Sequence, residues 1–426
     1  MNFQRLSKPR LVEPAALSGH LRAPASKSGT VRAIFAATLA RGTNKITQAS
    51  RCEDAEAALR LAAACGVSYS WYNNVLVLES TASATGGVVD CGESAFCARA
   101  GAFVAATFNS SFTFIGGPSL SVRSLQSTID YLSAFGAHVS ASPHLPLTVE
   151  GPLSARSINL NAALTSQSLS GLLMALPKSA GDSQLRMTDL VSSQYILLTL
   201  EVVRKFGINI DVSPDLELFR IPGGQRYLPT NLEVEGDWSG AAFYLVAGAL
   251  SGPVSIEGLN GGSLQPDRMI IEILQSAGAS VKLENSQYVI SKPISSSSQK
   301  LHAFTANLAS APDLFPAAVV LALFCHGTSR LDGADRLRDK ESDRAKVMLD
   351  EFRELGGELM LTGNTMFVTG SPLGGGAVSS HGDHRIAMAL SIAACHSEAP
   401  ITIDDTECVN KSYPAFFEDL ARLKGL

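Results

Sequence analysis

A chain that repeats itself about every seventy residues must build its fold from similar stacked units, and six such repeats run through these 426 residues. Six segments read as a helix, then glycine, then a strand: LRLAAACGVSY, DYLSAFGAHVS, EVVRKFGINID, EILQSAGASVK, EFRELGGELML and LARLKGL. Their glycines, Gly66, Gly136, Gly207, Gly278, Gly356 and Gly425, lie 69 to 78 residues apart. Glycine just past the last helical turn supplies the left-handed residue that lets a chain reverse into a strand. A second, Ala-rich helix recurs in the same phase: SGTVRAIFAATLARG, ESAFCARAGAFVAATF, SQSLSGLLMALPK, DWSGAAFYLVAGALSG, APDLFPAAVVLALFCHG and GDHRIAMALSIAAC. Each begins near Ser, Thr or Asp, the usual N-cap residues. Helices apolar on every face are buried rather than laid on a surface. Most run on into short strand-like segments, NKITQ, SFTFI, QLRMT, PVSIEG, TSRLDG and APITIDD. Each unit therefore reads strand–helix–strand–helix–strand, an α/β architecture.

The sixth unit ends at Gly425 with no room for a final strand, and the stretch from Leu6 to Leu21 is the one unassigned candidate to supply it. That predicts a discontinuous domain, residues 1–21 plus 237–426, and a second domain over 22–236. The two crossings would act as a double hinge, with ligand expected between the domains.

Composition narrows the function. Charged residues make up 17% of the chain, against a usual value of about 25%. Lys plus Arg number 34 and Asp plus Glu 39, a net charge of −5. A basic nucleic-acid binder is excluded, as is a disordered chain. Seven cysteines without CxxC spacing form neither a disulfide framework nor a zinc site. The opening MNFQRLSKPRLVEP lacks the apolar core of a signal peptide, and the apolar run Leu314 to Cys325 is too short to cross a bilayer. A cytoplasmic protein without membrane contact is expected.

In so uncharged a chain the cations stand out. Lys27, Arg32, Arg99, Arg123, Arg336, Lys340, Arg344, Arg385 and Lys411 fall at or near expected helix starts. Cations there oppose the helix dipole unless an anion is bound, so the pattern points to a small polyanionic ligand. Taken singly, each has a plainer reading. Lys340 and Arg344, four apart, could share a solvated helix face with Asp339, Glu341 and Asp343. His384 could be structural, Cys97 and Cys325 small core residues, and Thr165, Ser166 and Gln167 a helix cap.

The motifs PASKSGTVR, TSQ at 165–167, LVSSQY, EGDWS, DKESDR, DHRIAM and NKSYP, in this order along the whole chain, resemble the 5-enolpyruvylshikimate-3-phosphate synthase family. The resemblance implies two similar domains of three βαβαββ units each, the inside-out α/β barrel of enolpyruvyl transferases. It implies transfer of the enolpyruvyl group of phosphoenolpyruvate to the 5-hydroxyl of shikimate 3-phosphate, through a tetrahedral intermediate and with release of phosphate. No metal or organic cofactor is implied, and the expected state is a monomer with these two small-molecule partners. By motif, Lys27, Ala95, Arg123, Gln167, Arg344, Arg385 and Lys411 would border phosphoenolpyruvate. Lys27, Ser28, Arg32, Thr165, Ser166, Gln167, Ser192, Tyr195, Asp313, Arg336 and Lys340 would hold shikimate 3-phosphate. Asp313 would deprotonate the attacking hydroxyl, and Glu341 with Lys27 would handle the proton on the methylene carbon. Ligand binding would draw Arg32 and Ser192 toward Asp313 and Lys340 and close the hinge. The related UDP-N-acetylglucosamine enolpyruvyl transferases are a weaker match, because no cysteine here has an evident loop setting. A silent anion-binding descendant would have no reason to keep the acid–base pair.

Three departures from the family pattern matter. GESAFCAR replaces a glycine-rich GNAGTxxR stretch, with Glu93 for Asn, Ala95 for Gly and Phe96 for Thr. Gln194 stands in LVSSQY where Pro is usual, an expected loop position, and Arg336 stands where some members carry Asn. Ala95 adds a methyl group beside the phosphoenolpyruvate pocket, where glyphosate, the longer inhibitor of this family, also binds. Weak glyphosate inhibition with phosphoenolpyruvate use retained is the expected outcome of a steady-state assay; potent competitive inhibition would contradict it.

Overall fold

The computed structural model describes residues 9–80, 83–140, 142–161, 166–190, 192–292 and 300–425. It parts into two compact units, Met1–Pro24 with Gly236–Leu426, and Ala25–Glu235. The boundaries fall three residues after Leu21 and one residue before Gly236, set by which sheet each linking strand joins.

The six Ala-rich segments are helices: Lys27–Leu39 (α1), Ala95–Ala105 (α2), Ser166–Ala175 (α3), Trp238–Leu250 (α4), Phe315–Leu323 (α5) and His384–Ala394 (α6). Every residue of α4, α5 and α6 is buried. Within one unit α2 packs on α1 and α3, and within the other α4, α5 and α6 pack on each other. Helices this rich in Ala approach closely, and Gly171 in α3 lies so near Ala100 of α2 that an added Cβ would come within 2.9 Å of its backbone. Pro316 in the apolar run of α5 occupies the first helical turn, where its missing N–H costs nothing.

The inner helices α2, α3, α5 and α6 each join two paired parallel strands, and in the first five repeats an outer helix then leads into an antiparallel hairpin. In the second repeat, Gly87–Asp90 runs parallel to Ser111–Ile115, which pairs antiparallel with Leu147–Glu150. Among the described residues five sheets have four strands and one has three. The three-stranded sheet belongs to the sixth repeat: Arg10–Val12 pairs antiparallel with Ile401–Ile403, at the place its own missing hairpin would occupy. Each unit also closes on itself at the crossings. Gly19–Arg22 precedes α1 in sequence yet pairs with Val254–Glu257, whereas Asn231–Glu233 precedes α4 yet pairs with Gly42–Thr47. The folding pattern is therefore three βαβαββ repeats per unit.

All six repeat glycines are left-handed, with φ from +77° to +90°. After four of them the next amide reaches back five residues, Ala137 to Leu132, Ile208 to Val203, Ala279 to Leu274 and Gly357 to Phe352, at 2.8–3.1 Å. This is the Schellman closure that satisfies an orphan carbonyl. Gly356 isolates the backbone requirement, since a Cβ there would meet nothing nearer than the Pro372 carbonyl oxygen at 3.8 Å. Gly356→Ala is expected to cost about 1–2 kcal/mol of stability through its φ alone, read as a lower urea midpoint with unchanged slope. An unshifted midpoint would show that the reversal does not depend on glycine.

Candidate active site

In the unit that holds both termini, the cations gather around one arginine. Arg344 opens the outer helix Arg344–Glu354, whose N-cap is Asp343. Its side chain is 1% exposed, and it reaches three carboxylates: Nη1 to Asp313 Oδ1 at 2.8 Å, Nη2 to Glu341 Oε2 at 2.6 Å and Nε to Asp383 Oδ2 at 2.7 Å. Burial alone would lower the guanidinium pKa, but Asp383, Glu341 and Asp313 outweigh it and hold Arg344 firmly protonated. Asp313 comes from the turn Pro312–Leu314 that leads into α5, and Asp383 is the N-cap of α6, accepting from the Arg385 amide at 2.9 Å. Thus one fork ties the starts of three helices together.

Four further groups share these carboxylates. Arg385 Nη2 donates to Asp313 Oδ2 at 3.0 Å, and Lys340 Nζ lies 3.4 Å from Asp313 Oδ1. Lys411 Nζ lies 3.3 Å from Glu341 Oε1, and the Ser342 hydroxyl donates to Asp383 Oδ2 at 3.2 Å. Nε and Nη1 of Arg385 are buried and have no hydrogen-bond partner among the described residues. A buried cation with two donors unused is a ready anion ligand. Lys340 is pulled down from its ordinary pKa by burial, with Asp313 countering. Arg336, in the turn Ala334–Leu337, is likewise lowered by burial.

In this unit two positions differ from expectation. Lys340 precedes the helix that Arg344 opens, so the pair shares no helix face; Asp343 terminates the turn between them as N-cap. Lys411 ends the turn Thr406–Lys411 and does not open the last helix, which begins at Phe416. Glu341, Asp383 and His384 place one potential metal ligand atom each within 4.8 Å of one another. The Arg344 guanidinium already lies against both carboxylates, so a fixed cation holds that position.

The other unit carries its own group. Lys27 opens α1 behind the Ser26 cap, and its Nζ lies 3.2 Å from Asp54 of the outer helix Glu53–Ala64. Arg32, one turn on, donates from Nε to Thr199 Oγ1 at 2.9 Å, from Nη1 to the Ser28 carbonyl at 3.1 Å and from Nη2 to the Tyr195 carbonyl at 3.4 Å. Burial lowers its pKa to about 10, with Tyr195 countering. Ser166 and Gln167 open α3, and Gln167 Oε1 accepts from Arg99 Nη1 at 3.1 Å. Thr165 lies outside the described residues. Ser192, at φ +57°, is the left-handed N-cap of the helix Ser193–Lys205, and Tyr195 lies in its first turn. Gln194 is the second residue of that helix rather than a loop residue, a place where Pro also fits. Arg123 lies between the short helix Pro118–Ser121 and Gln126–Ala134, and so does not itself open a helix.

The departing motif is now interpretable. Ala95 is the first residue of α2. Glu93 accepts from the Ser119 hydroxyl at 2.6 Å and the Leu120 amide at 2.8 Å, so its charge caps the turn leading to Arg123. The Phe96 ring stacks on Phe35, with centroids 5.8 Å apart. Asp54, Asp383 and Thr199 also orient the cations, and nothing in their local sequence distinguishes them from caps and core.

Paired units of three βαβαββ repeats, with cations collected at helix starts, define the enolpyruvyl transferase fold. A sequence profile described as EPSP synthase (3-phosphoshikimate 1-carboxyvinyltransferase) matches residues 11–420, and the chain belongs to that family. A Clostridium kluyveri protein named 3-phosphoshikimate 1-carboxyvinyltransferase is 35% identical over 419 residues, 97% of each chain. One of that name from Aeropyrum pernix is 35% identical over 414 residues, 97% of this chain and 95% of the relative. The solved EPSP synthase of Acinetobacter baumannii superimposes with a TM-score of 0.82 at 27% identity, over 97% of each chain. Among the described residues no helix is long and apolar enough to cross a membrane.

A carboxyl group behind Arg385 has a consequence for stability. Asp267, 1% exposed, is pushed up from 3.8 to about 6 by burial first, then by Asp313 and Asp237, with Arg385 and a Ser239 hydrogen bond countering. The folded protein holds this proton to higher pH than the unfolded chain does. Its contribution to stability is therefore full below about pH 4 and lost as pH rises through about 6. Asp267→Asn is expected to flatten the change in urea midpoint across that window; a parallel profile would contradict it.

Proposed function

We infer that the chain transfers the enolpyruvyl group of phosphoenolpyruvate to shikimate 3-phosphate, releasing phosphate, a step on the shikimate route to aromatic amino acids. Family membership supports the reaction, and the observation that carries its chemistry is the buried Arg344 fork holding Asp313 and Glu341 among cations.

In this reading Lys27, Arg123, Arg344, Arg385 and Lys411 hold the phosphate and carboxylate of phosphoenolpyruvate, and Ala95 and Gln167 border it. Bidentate arginine forks match both anions. Ser28, Arg32, Ser166, Ser192, Tyr195, Arg336 and Lys340 hold shikimate 3-phosphate, together with Thr165. Asp313 takes the proton of the 5-hydroxyl as its oxygen bonds to C2 of phosphoenolpyruvate. C3 gains a proton from Glu341 or Lys27, giving a tetrahedral intermediate. Loss of that C3 proton and cleavage of the C2–O bond then release phosphate and restore the double bond. We place the protein in the cytoplasm as a monomer; seven free thiols, six of them buried, support a reducing compartment.

Phosphate release from phosphoenolpyruvate is expected with shikimate 3-phosphate and not with UDP-N-acetylglucosamine. Asp313→Asn and Glu341→Gln are each expected to lower kcat by about 100- to 10,000-fold while circular dichroism stays unchanged. Release with the nucleotide sugar alone, or with neither acceptor, would overturn the reading.

A further inference from the structure

Most buried cations described above lean on a carboxylate: Lys27 on Asp54, Lys340 and Arg385 on Asp313, Arg344 on three, Lys411 on Glu341. Arg32 does not. It is 3% exposed, and among the described residues no carboxylate lies within ion-pair distance of it. Its three acceptors, Thr199 Oγ1 and the Ser28 and Tyr195 carbonyls, are neutral. They orient the guanidinium but do not balance its charge, and a buried charge without compensation is costly.

The compensation comes from aromatic faces. The guanidinium carbon stands 4.3 Å from the centroid of Phe96 and 5.8 Å from that of Tyr195. Phe96 is itself braced on Phe35, nearly parallel at 12°, with centroids 5.8 Å apart. Phe35 lies three residues after Arg32 on α1, so the ring from α2 spans the cation and the apolar residue beside it. The quadrupole of a ring face stabilises a cation strongly once water is excluded. Unlike a carboxylate, a ring does not compete with an incoming anion for the N–H groups. Thr199 Oγ1 is held in turn by the Tyr195 carbonyl, to which it donates at 2.9 Å, and by the Ser170 hydroxyl at 3.0 Å.

We propose that Phe96 is a positioning residue for the acceptor substrate: its ring, stacked between Phe35 and Arg32, keeps the guanidinium flat and free of an ion pair, so that Arg32 can take an acid group of shikimate 3-phosphate. The proposal rests on the functional reading above, since it assigns Arg32 to that ligand. It gives the bulky residue at 96 a purpose that packing alone does not.

Two substitutions separate the roles. Phe96→Leu keeps apolar volume and removes the π face, whereas Phe96→Tyr keeps both. Calorimetric titration of shikimate 3-phosphate, without phosphoenolpyruvate, is expected to show binding weakened about 5- to 30-fold by Phe96→Leu and nearly unchanged by Phe96→Tyr. The KM for phosphoenolpyruvate and kcat are expected to stay near those of the parent. If the leucine variant does not fold, Phe96→Met, of similar volume, carries the same readout. Parent-like binding by Phe96→Leu overturns the proposal while leaving the functional reading intact. So does equal loss in both variants with a lowered Tm, which marks a packing role alone. A parent protein that binds no shikimate 3-phosphate overturns the functional reading and this proposal together.

Discussion

The fork of Arg344 is the interaction on which the cation cluster of its unit depends. Three carboxylates from three separate segments converge on one guanidinium that has almost no exposed surface. Each of its bonds is a charge-assisted hydrogen bond in a water-poor setting, where such bonds are strongest. Removing either side of a buried pair of this kind costs roughly 3–5 kcal/mol, because an uncompensated charge is left behind. The fork therefore keeps Asp313 and Glu341 in place before any ligand arrives. Four cations, Arg344, Arg385, Lys340 and Lys411, converge on Asp313, Glu341 and Asp383, with Asp267 and Asp237 also acting on Arg385.

The second unit solves the same electrostatic problem by other means. Lys27 leans on Asp54, Arg99 donates to the Gln167 side chain and the Ser124 carbonyl, and Arg32 lies against aromatic rings. Carboxylate partners hold a cation rigidly but must share it with a substrate anion; amides and ring faces hold it less strongly and leave more of its charge available. Preorganisation of both kinds spares the ordering cost that binding would otherwise incur.

What could be read from the sequence was what local chemistry dictates. The repeat glycines are legible because only a left-handed residue closes those helices, and Gly66 through Gly425 all adopt it. The inner helices are legible because their apolar faces leave no solvent side. The supply of a strand to the sixth repeat by the N-terminal stretch followed from counting strands, and Arg10–Val12 fills it. The partners of the cations were not legible. Asp383 and Arg344 are 39 residues apart, and Thr199 lies 167 residues from Arg32. Such contacts arise only when repeats pack, and an Asp before a helix looks the same whether it merely caps or also holds an arginine. Phe96 was legible as a departure but not as a platform, since the direction of its ring depends on Phe35 in another helix.

Asp383 offers the most direct test of the account, because none of its surface is exposed and its carboxylate is held by Arg344 Nε, the Ser342 hydroxyl and the Arg385 amide. Asp383→Asn keeps an oxygen to cap α6 but withdraws the charge that holds Nε of Arg344. Measured beside circular dichroism and Tm, its kcat for phosphate release from phosphoenolpyruvate and shikimate 3-phosphate is expected to fall at least about tenfold, equivalent to about 1.4 kcal/mol at the transition state, while the fold is retained. A folded Asp383→Asn protein turning over at the parent rate would contradict the claim that the buried fork sets the geometry of Asp313 and Glu341.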